Sequence, residues 1–457
     1  MGGINCFSLS TIWFKKHRAV DNPRPDHVRG DDNPPPDLTL VRNTLVYNQS
    51  VHNPISCCLL PAVITRVAKN RRRSKKKNLL DLPNDIIIDI LIKLPAECVL
   101  RCQLASKHLE ILAKTHFFIR THLARATSII GVQSLSQSTD RAIKFYFMDE
   151  QAKKVEESNL KLNFCYTDEW HPVMLYDSYD GFLLFKSKDN SSRSIFVIWN
   201  PTTEEQVTIT MEGLYFQVCG FYFNPRNKEY EVLLQYWARG GDEKFGFDIL
   251  SFGSKLRRNI GTYSYVPRSE RPPTIINGTL YWMVDKILSR GEVNCSNSIM
   301  TFEIGTNKLS TMQHGGAPCE AGYNFGSIGY KHDYMHLIAM EGQLGLCVLL
   351  SYTEFVLCVL NPATNNWAKA HSVTLPEYTM PEYISCWPNE LFVAEVLKIK
   401  DGKLLFRQQN RLLLWDLGLN THKIIEKKGF ENDNFRSVIH TPSLVFLDTD
   451  KLIQLDK

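Results

Sequence analysis

The sequence lacks an apolar run long enough to cross a membrane as a helix. Such a span needs about 18 consecutive apolar residues, and the best stretch, Leu344 to Leu360, is interrupted by Ser351 and Glu354. A charged segment followed by an apolar stretch and a cleavage site is also missing from the N-terminus, so no secretory signal is predicted. The twelve cysteines include no CxxC pair and form no regular framework. We therefore expect free thiols and an intracellular protein, in the nucleus, the cytoplasm or both.

Signatures of common enzyme chemistry are missing as well. The sequence contains no GxSxG elbow, no GxGxxG after a first strand and no GxxxxGK[ST] loop. Acyl transfer, dinucleotide binding and phosphoryl transfer therefore lack their usual motifs. We predict no catalytic residues, no cofactor and a protein that is not an enzyme.

Two groups of residues have spacings that metal sites also use. His332 and His336 are spaced like a zinc-peptidase HExxH pair, but they lie between strand-like runs, whereas that motif needs a helix to place both rings on one face. The second group comprises Cys98, Cys102, His108 and His116. Its two cysteines lie in a helical segment, where small buried apolar side chains are the simpler interpretation. No metal site is predicted.

Positive charge is concentrated in the N-terminal region. Residues 1–78 contain 14 Lys and Arg against 5 Asp and Glu, whereas residues 79–457 contain 39 against 43. Nucleic-acid binding by the later part thus has no support from composition. Residues 1–77 are Pro-containing and predicted to be disordered. Seven of the nine residues from Lys69 to Lys77 are basic, so the run Arg71 to Lys77 is either a nuclear-import signal or a solvated linker.

The most distinctive stretch runs from Asn78 to Leu123. Between Pro83 and Pro95, a predicted helix places Asp85, Asp89 and Lys93 on one narrow stripe, and nearly all its other residues are Ile or Leu. A segment of about 45 residues is too short to bury such a helix on two sides. The stretch is therefore predicted to be half of an interface.

These residues resemble an F-box, through Leu82-Pro83, Leu94-Pro95, Val99-Leu100-Arg101 and Leu104-Ala105-Ser106-Lys107. In that family the segment is a small helical bundle that docks on a Skp-type adaptor within a cullin-RING ubiquitin ligase. The resemblance implies nine adaptor-binding residues: Leu82, Pro83, Ile87, Ile90, Leu91, Leu94, Pro95, Val99 and Leu100. Leu109 stands where plant members usually have an aromatic residue, so we expect weaker packing but the same fold.

After Leu123, strand-like runs dominate and repeat. Each copy joins two strands through a turn rich in Pro, Gly, Asn and Thr, as in Trp199-Asn-Pro-Thr-Thr203. The anchors Ile198, Ile249, Phe302, Leu360 and Trp415 are 51, 53, 58 and 55 residues apart. A period near 50 residues is typical of kelch-type propeller blades.

Hairpin signals accompany this repeat. Asp180-Gly181, Asn277-Gly278 and Asp401-Gly402 each precede an apolar strand, as a two-residue hairpin turn requires. The aromatic residues of the repeat are interpreted as packing between blades rather than as a ligand-stacking ring. They are Trp199, Trp282, Trp367 and Trp415.

The repeat resembles the plant F-box-associated propeller domain over about residues 140–450. The markers are Tyr179-Asp-Gly-Phe-Leu-Leu, Gly220-Phe-Tyr-Phe-Asn-Pro and Ile276-Asn-Gly-Thr-Leu-Tyr-Trp282. About six blades are expected, within a range of five to seven. Both chain ends would build the sixth, from Phe145–Phe147, Leu160–Tyr166 and Ser443–Leu447.

The predicted fold class is therefore α+β with several domains: a small all-α F-box bundle followed by an all-β propeller. The predicted boundaries are a disordered extension at 1–77, the F-box at 78–125, a connector at 126–140 and the propeller at 141–457. Loops that break the repeat are candidates for partner recognition. They are Ser187–Ser194, Ala238–Lys244, Asp285–Asn297 and Gln313–Asn324.

The resemblance implies a substrate-recognition subunit of an SCF-type ubiquitin ligase. The F-box would dock a Skp-type adaptor, and through it a cullin-RING ligase, while the propeller would bind a protein substrate. No membrane partner is expected. The alternative is a propeller that binds or converts a glycan or small metabolite, with an F-box that is degenerate or acts outside a ligase.

Overall fold

The structure, a computed structural model, describes residues 39–41, 79–134, 143–149, 155–160, 173–187, 193–212, 217–237, 245–268, 271–289, 293–315, 331–351, 354–375, 395–408, 411–425 and 435–447. Within these residues a helical bundle is followed by an all-β domain, which confirms the predicted fold class. No helix in this part of the chain is long and apolar enough to span a membrane. The basic run Lys69 to Lys77 lies outside the described residues.

Four short α-helices form the bundle. After a 3-10 turn at Leu79–Asp81 they are α1 (Asn84–Leu91), α2 (Ala96–Ala105), α3 (Lys107–Ala113) and α4 (His116–Arg125). Pro83 and Pro95 stand immediately before α1 and α2, where a missing N–H group costs little because the first helical N–H groups have no partner within the helix. The Thr115 hydroxyl caps α4 by accepting the Phe118 N–H.

In the described residues, the strands other than Thr39–Val41 form six antiparallel units of four. Unit 1 consists of β25 (Phe435–His440), β2 (Ile129–Ser134), β3 (Ile143–Met148) and β4 (Val155–Leu160). Unit 2 consists of β5 (Val173–Tyr179), β6 (Phe182–Ser187), β7 (Arg193–Asn200) and β8 (Glu205–Glu212). Unit 3 consists of β9 (Gln217–Asn224), β10 (Glu229–Trp237), β11 (Phe245–Ser251) and β12 (Arg257–Tyr263).

The remaining units follow the same order. Unit 4 consists of β13 (Thr274–Ile276), β14 (Thr279–Met283), β15 (Ile299–Glu303) and β16 (Lys308–Met312). Unit 5 consists of β17 (Met335–Met340), β18 (Gln343–Ser351), β19 (Glu354–Asn361) and β20 (Asn366–Thr374). Unit 6 consists of β21 (Glu395–Lys400), β22 (Lys403–Gln408), β23 (Arg411–Asp416) and β24 (Thr421–Ile425). Units 5 and 6 share one sheet, because Met340 and Ile399 form a single parallel pairing between them. Strand β1 (Thr39–Val41), within the extension predicted to be disordered, pairs with β8.

Apolar clusters between neighbouring units close these six units into a ring. Each cluster draws its side chains from two consecutive units, and the last joins unit 6 to unit 1. Representative buried residues, from the interface of units 1 and 2 around to that of units 6 and 1, are Trp199, Phe221, Trp282, Met335, Phe406 and Phe435. The six interfaces define a six-bladed propeller, as the repeat predicts. The anchors of the repeat all lie on the third strand of a unit.

In units 2 to 6, tight turns join strands 1 and 2 and strands 3 and 4. In each of units 2 to 6, both turns contain one non-glycine residue with positive φ. Asp180-Gly181, Asn277-Gly278 and Asp401-Gly402 have positive φ at both positions, which is the geometry of the predicted hairpin turn. Glu341-Gly342 forms a fourth such turn that the sequence analysis did not identify.

The repeated strand order gives the propeller two distinct ends. The turns between strands 1 and 2 and between strands 3 and 4 lie at one end, which we name the turn end. The connections between strands 2 and 3, and those from one unit to the next, lie at the other, which we name the loop end. All four candidate recognition loops belong to the loop end. Ser187–Ser194, Ala238–Lys244 and Gln313–Asn324 fall largely outside the described residues.

Two stretches have a local structure other than the one expected for them. The connector predicted at 126–140 contains β2. All residues of β2 except Ile129 are buried. The strand therefore lacks the alternation of buried and exposed residues by which a half-buried strand is identified. The C-terminal strand of unit 1 is Phe435–His440 rather than Ser443–Leu447. Ser443, Leu444, Val445 and Leu447 are buried outside any strand, because polar backbone groups of this segment bond to unit 2, as described below.

Gly181→Ala is expected to destabilise the protein more than the control Gly278→Ala. Both glycines have positive φ, at 90° and 75°, so alanine costs about 1 kcal/mol at each position. A Cβ atom on Gly181 would also overlap the Ser443 side chain, whereas one on Gly278 meets nothing within 4 Å. Overpacking of this kind adds roughly 1–3 kcal/mol. Urea unfolding followed by tryptophan fluorescence measures the difference in the free energy of unfolding. An equal loss of stability in the two variants would show that the C-terminal segment does not pack against this turn.

Candidate functional site: the helical bundle and its junction with the propeller

Helix α1 divides its apolar residues between the core and solvent. Ile87 and Leu91 are 0% and 1% exposed, whereas Ile86 and Ile90, also one turn apart, are 44% and 37% exposed. Residues four apart lie on one face of a helix, so α1 has one buried and one exposed apolar face. An exposed apolar face on a short helix marks an interaction surface.

The nine predicted adaptor-binding residues fall into three sets. Ile87, Leu91 and Val99 are buried in the core of the bundle. Leu82, Leu94 and Leu100 are partly buried against that core. Pro83, Ile90 and Pro95 are exposed.

Other exposed apolar residues on the bundle were not among the nine. They are Leu79, Leu80, Ile86, Leu104 and Phe117. The helical period relates Ile86 to Ile90, and this spacing could have identified it. Leu104, 84% exposed, carried no such signal, because the sequence alone does not show which face of α2 turns inward.

Leu109 is 5% exposed and lies in the bundle core with Leu112 and Ala113. The position is therefore apolar and buried, as the sequence analysis expected. His122 strengthens the same core: its ring stacks on Phe118 with centroids 5.8 Å apart. Its Nε2 lies 2.8 Å from the Leu94 carbonyl oxygen and donates to it, which ties α4 to the loop after α1.

An ion pair joins the bundle to the turn end of the propeller. Arg120 of α4 places Nη1 2.6 Å from Oδ2 of Asp180, the first residue of the turn between β5 and β6. The Tyr230 hydroxyl donates to the same oxygen at 2.8 Å. Burial, followed by the nearby Asp180 charge, raises the pKa of Tyr230 well above its usual value. Tyr230 therefore remains a neutral donor, and one carboxylate links α4 to units 2 and 3.

Apolar packing accompanies this ion pair. The Arg120 guanidinium lies 3.7 Å from the Phe223 ring centroid, a cation–π contact. The bundle core continues without a break into Phe182 and Phe221 at the interface of units 2 and 3. The bundle is thus packed on the propeller and is not hinged to it by a linker alone.

The C-terminal segment 443–447 reinforces the junction. Ser443 Oγ donates to the Asp180 carbonyl oxygen at 2.7 Å. Asn200 Nδ2 donates to the carbonyl oxygens of Ser443 and Val445 at 3.2 and 2.9 Å, and the Leu447 N–H donates to Glu205 Oε2 at 2.8 Å. These bonds satisfy buried backbone groups that no strand partner satisfies.

A cationic group lies at the loop end, near the starts of the first strands. Arg407 Nη2 lies 2.6 Å and Arg271 Nη1 4.0 Å from the Glu395 carboxylate. Burial alone would raise the pKa of Glu395, but Arg407 and Arg271 outweigh it and lower the pKa to about 2. Arg436 also lowers it, and Arg268 acts on Arg271. Three guanidinium groups, those of Arg271, Arg407 and Arg436, thus act on one carboxylate.

The two ligand sets considered from the sequence do not assemble. Among the described residues, neither the pair His332 and His336 nor the set around Cys98 forms a metal-ligating group. His332 lies in a 3-10 turn, and His336 lies in β17. Of the four repeated tryptophans, Trp199, Trp282 and Trp415 are buried in the clusters between units, and Trp367 packs against one. This agrees with the interpretation that they are packing residues.

Arg120→Ala is expected to loosen the junction by about 2 kcal/mol, because it leaves the partly buried Asp180 without its cation. Hydrogen–deuterium exchange of the full chain should show reduced protection in α4 and in the turn 179–181. The control is Lys107→Ala in the same bundle, which removes an exposed ion pair with Glu110 and should change exchange little. Unchanged protection of α4 in Arg120→Ala would show that packing alone holds the junction.

Comparison with known proteins agrees with this architecture. Residues 134–449 match the F-box associated beta propeller domain, and residues 79–121 match the F-box domain. A putative F-box protein of Arabidopsis thaliana is 22% identical over 377 residues, which cover 79% of this chain and 95% of that protein. Another F-box protein of Arabidopsis thaliana is 28% identical over 260 residues, covering 53% of this chain and 61% of that protein.

Solved structures add little to these matches. The periplasmic gluconolactonase of Pseudomonas aeruginosa is 12% identical with a TM-score of 0.37, covering 68% of this chain and 99% of that one. A likeness this low carries no inference about function. The propeller match spans more than half of the present chain, and the F-box match coincides with α1 to α4. The chain therefore belongs to the F-box associated beta propeller family and is a plant-type F-box protein.

Proposed function

We propose that this protein is a substrate-recognition subunit of an SCF-type ubiquitin ligase. The F-box docks a Skp-type adaptor, and the propeller binds a protein substrate. The observation that carries the proposal is the exposed apolar face of α1 on a bundle that is itself packed on the turn end of the propeller. In this role the chain makes and breaks no bond. It contributes proximity between a substrate and the transfer chemistry of other subunits.

The proposed adaptor surface is defined by the apolar residues that a partner can contact. It comprises Leu79, Leu80, Pro83, Ile86, Ile90, Pro95 and Leu104. Ile87, Leu91 and Val99 support it from the core, and Leu82, Leu94 and Leu100 lie at its base. Substitution of Leu91 would therefore unfold the bundle, and docking is better tested at exposed positions.

The double variant Ile90→Asp, Leu104→Asp should lose adaptor binding with the fold intact. Both side chains are exposed in the free chain, so aspartate at these positions costs little folding free energy. In a complex each carboxylate would be buried without a partner, at a cost of several kcal/mol. We expect at least about a 100-fold increase in the Kd for a purified Skp-type adaptor, measured by titration calorimetry.

The matched control is Leu256→Asp, Leu419→Asp. These leucines are 59% and 74% exposed on the propeller, so the control makes the same chemical change outside the bundle. The wild type and the control should bind the adaptor equally. Wild-type affinity in the Ile90, Leu104 double variant would overturn the proposed surface. A wild-type chain that binds no adaptor would favour the alternative of a ligand-binding propeller.

For the substrate, we place the recognition surface at the loop end. The F-box occupies the turn end, so the loop end remains free when an adaptor is bound. It holds the long connections, and loops on a rigid scaffold commonly carry recognition. The guanidinium groups of Arg271, Arg407 and Arg436 near Glu395 favour an acidic segment, because Arg pairs with carboxylate or phosphate through charge-assisted hydrogen bonds.

The double variant Arg271→Gln, Arg436→Gln should lose substrate but keep adaptor. Both proteins are used for affinity capture from plant cells with proteasome activity blocked. We expect the double variant to recover at least about tenfold less of the acidic partners than the wild type does. The control Lys400→Gln, Lys403→Gln removes the same charge from the turn between β21 and β22, at the opposite end of unit 6. Equal capture by the two double variants would contradict an acidic substrate at the loop end.

A further inference from the structure

Three side chains with metal-ligating atoms converge at the loop end, where unit 4 passes into unit 5. Cys295 begins the 3-10 turn Cys295–Asn297 between β14 and β15, His314 follows β16, and His332 lies in the 3-10 turn Lys331–Tyr334 before β17. One ligand atom from each residue lies within 4.8 Å of the others. A tetrahedral zinc ion separates such ligand atoms by roughly 3.4–3.7 Å. Small side-chain rotations therefore bring them to bonding distance.

The orientation of His314 suits a ligand. Its Nδ1 lies within hydrogen-bonding distance of the Gly315 carbonyl oxygen, and a carbonyl only accepts, so the proton of a neutral ring is on Nδ1. In that tautomer Nε2 is the ring atom that can ligate a metal. Metal-ligating histidines characteristically donate their other N–H group to a carbonyl or carboxylate in this way.

Backbone contacts hold the three residues in place independently of a metal. The His314 N–H donates to the Cys295 carbonyl oxygen at 3.2 Å. Arg268 Nη2 donates to the His332 carbonyl oxygen at 3.2 Å. Asn294 and Asn297 form a reciprocal capping box around the turn that contains Cys295.

Unit 5 contributes a further restraint. Trp367 Nε1 donates to the Gln313 carbonyl oxygen at 3.3 Å, and its ring lies so close to Gly315 that a Cβ atom there would overlap it. The backbone on both sides of His314 is therefore fixed against β20. A site whose ligands are held before binding loses little conformational entropy when the ion enters.

We propose that Cys295, His314 and His332 form a zinc site. The ion would join the loop of unit 4 to the 3-10 turn that precedes the first strand of unit 5. One thiolate and two imidazoles are the ligand types that zinc prefers, whereas magnesium and calcium prefer oxygen. Water fills the fourth position. His314 and His332 are 3% and 6% exposed and Cys295 is partly exposed, so the ion enters from the side of the cysteine. His332 thus binds the ion together with Cys295 and His314 of unit 4, and His336 is not a ligand.

The test uses full-length protein purified without a histidine tag and dialysed against a metal-free buffer. Elemental analysis should find about one zinc per chain in the wild type and less than a tenth of that in Cys295→Ser. Cobalt added to the metal-free chain should give a thiolate-to-metal charge-transfer band that Cys295→Ser lacks. Chelation should lower the Tm of the wild type by about 5 °C, and added zinc should restore it.

Two variants serve as controls. Cys98→Ser removes a thiol in α2, and His371→Asn removes a histidine on β20; both should retain zinc. The chelation experiment needs no variant, so misfolding of Cys295→Ser does not remove the test. A wild type that carries no zinc and shows no Tm change on chelation or zinc addition would overturn the site. Zinc that is retained fully in Cys295→Ser would do the same. Neither result bears on adaptor binding.

Discussion

Pairing of the last described strand with the first strand of the propeller is the contact on which the architecture depends. β25 pairs with β2 over six residues, from Ile129 with His440 to Ser134 with Phe435. Without it, units 1 and 6 would each expose strand edges and an apolar face, which are sites of aggregation. The two strands are about 300 residues apart in sequence, so the ring closes only after nearly the whole domain is available. Slow closure of this kind follows from the loop entropy of distant contacts.

The segment that follows the closing strand contacts the junction with the F-box. After His440 the backbone leaves unit 1 and reaches the turn at Asp180, where Ser443 binds the carbonyl group of the residue whose carboxylate holds Arg120. One turn is therefore contacted by the C-terminal segment and by α4 at once. Closure of the ring and packing of the F-box stabilise each other, because both restrict the conformation of Asp180. A junction with an ion pair, a cation–π contact and a continuous core is stiff, unlike domains joined by a linker of a few polar residues.

Much of this could be predicted from the sequence, for identifiable reasons. The blade period was visible because each third strand carries a large buried residue, such as Ile198 or Trp415, followed by a polar turn. The hairpin turns were visible because Asp-Gly and Asn-Gly adopt positive φ at little cost. By contrast, β2 and the C-terminal segment were misplaced because both are buried for reasons of tertiary context that no local pattern records. The helical period places Ile86 on the same face as Ile90, but which face of α1 packs inward was likewise not predictable, since isoleucine occupies both faces and only packing selects the inner one.

The convergence of Cys295, His314 and His332 shows where sequence spacing fails. Ligands that come from three loops have no common period, and the spacing of His332 with His336 joins a turn residue to a strand residue. What brings the three together is the strand order: in every unit the 2–3 connection and the link to the next unit lie at one end. That same order keeps this end away from the F-box. The turn end is built from short turns of fixed geometry, which suits a rigid seat for the bundle. The loop end carries connections whose lengths differ from unit to unit.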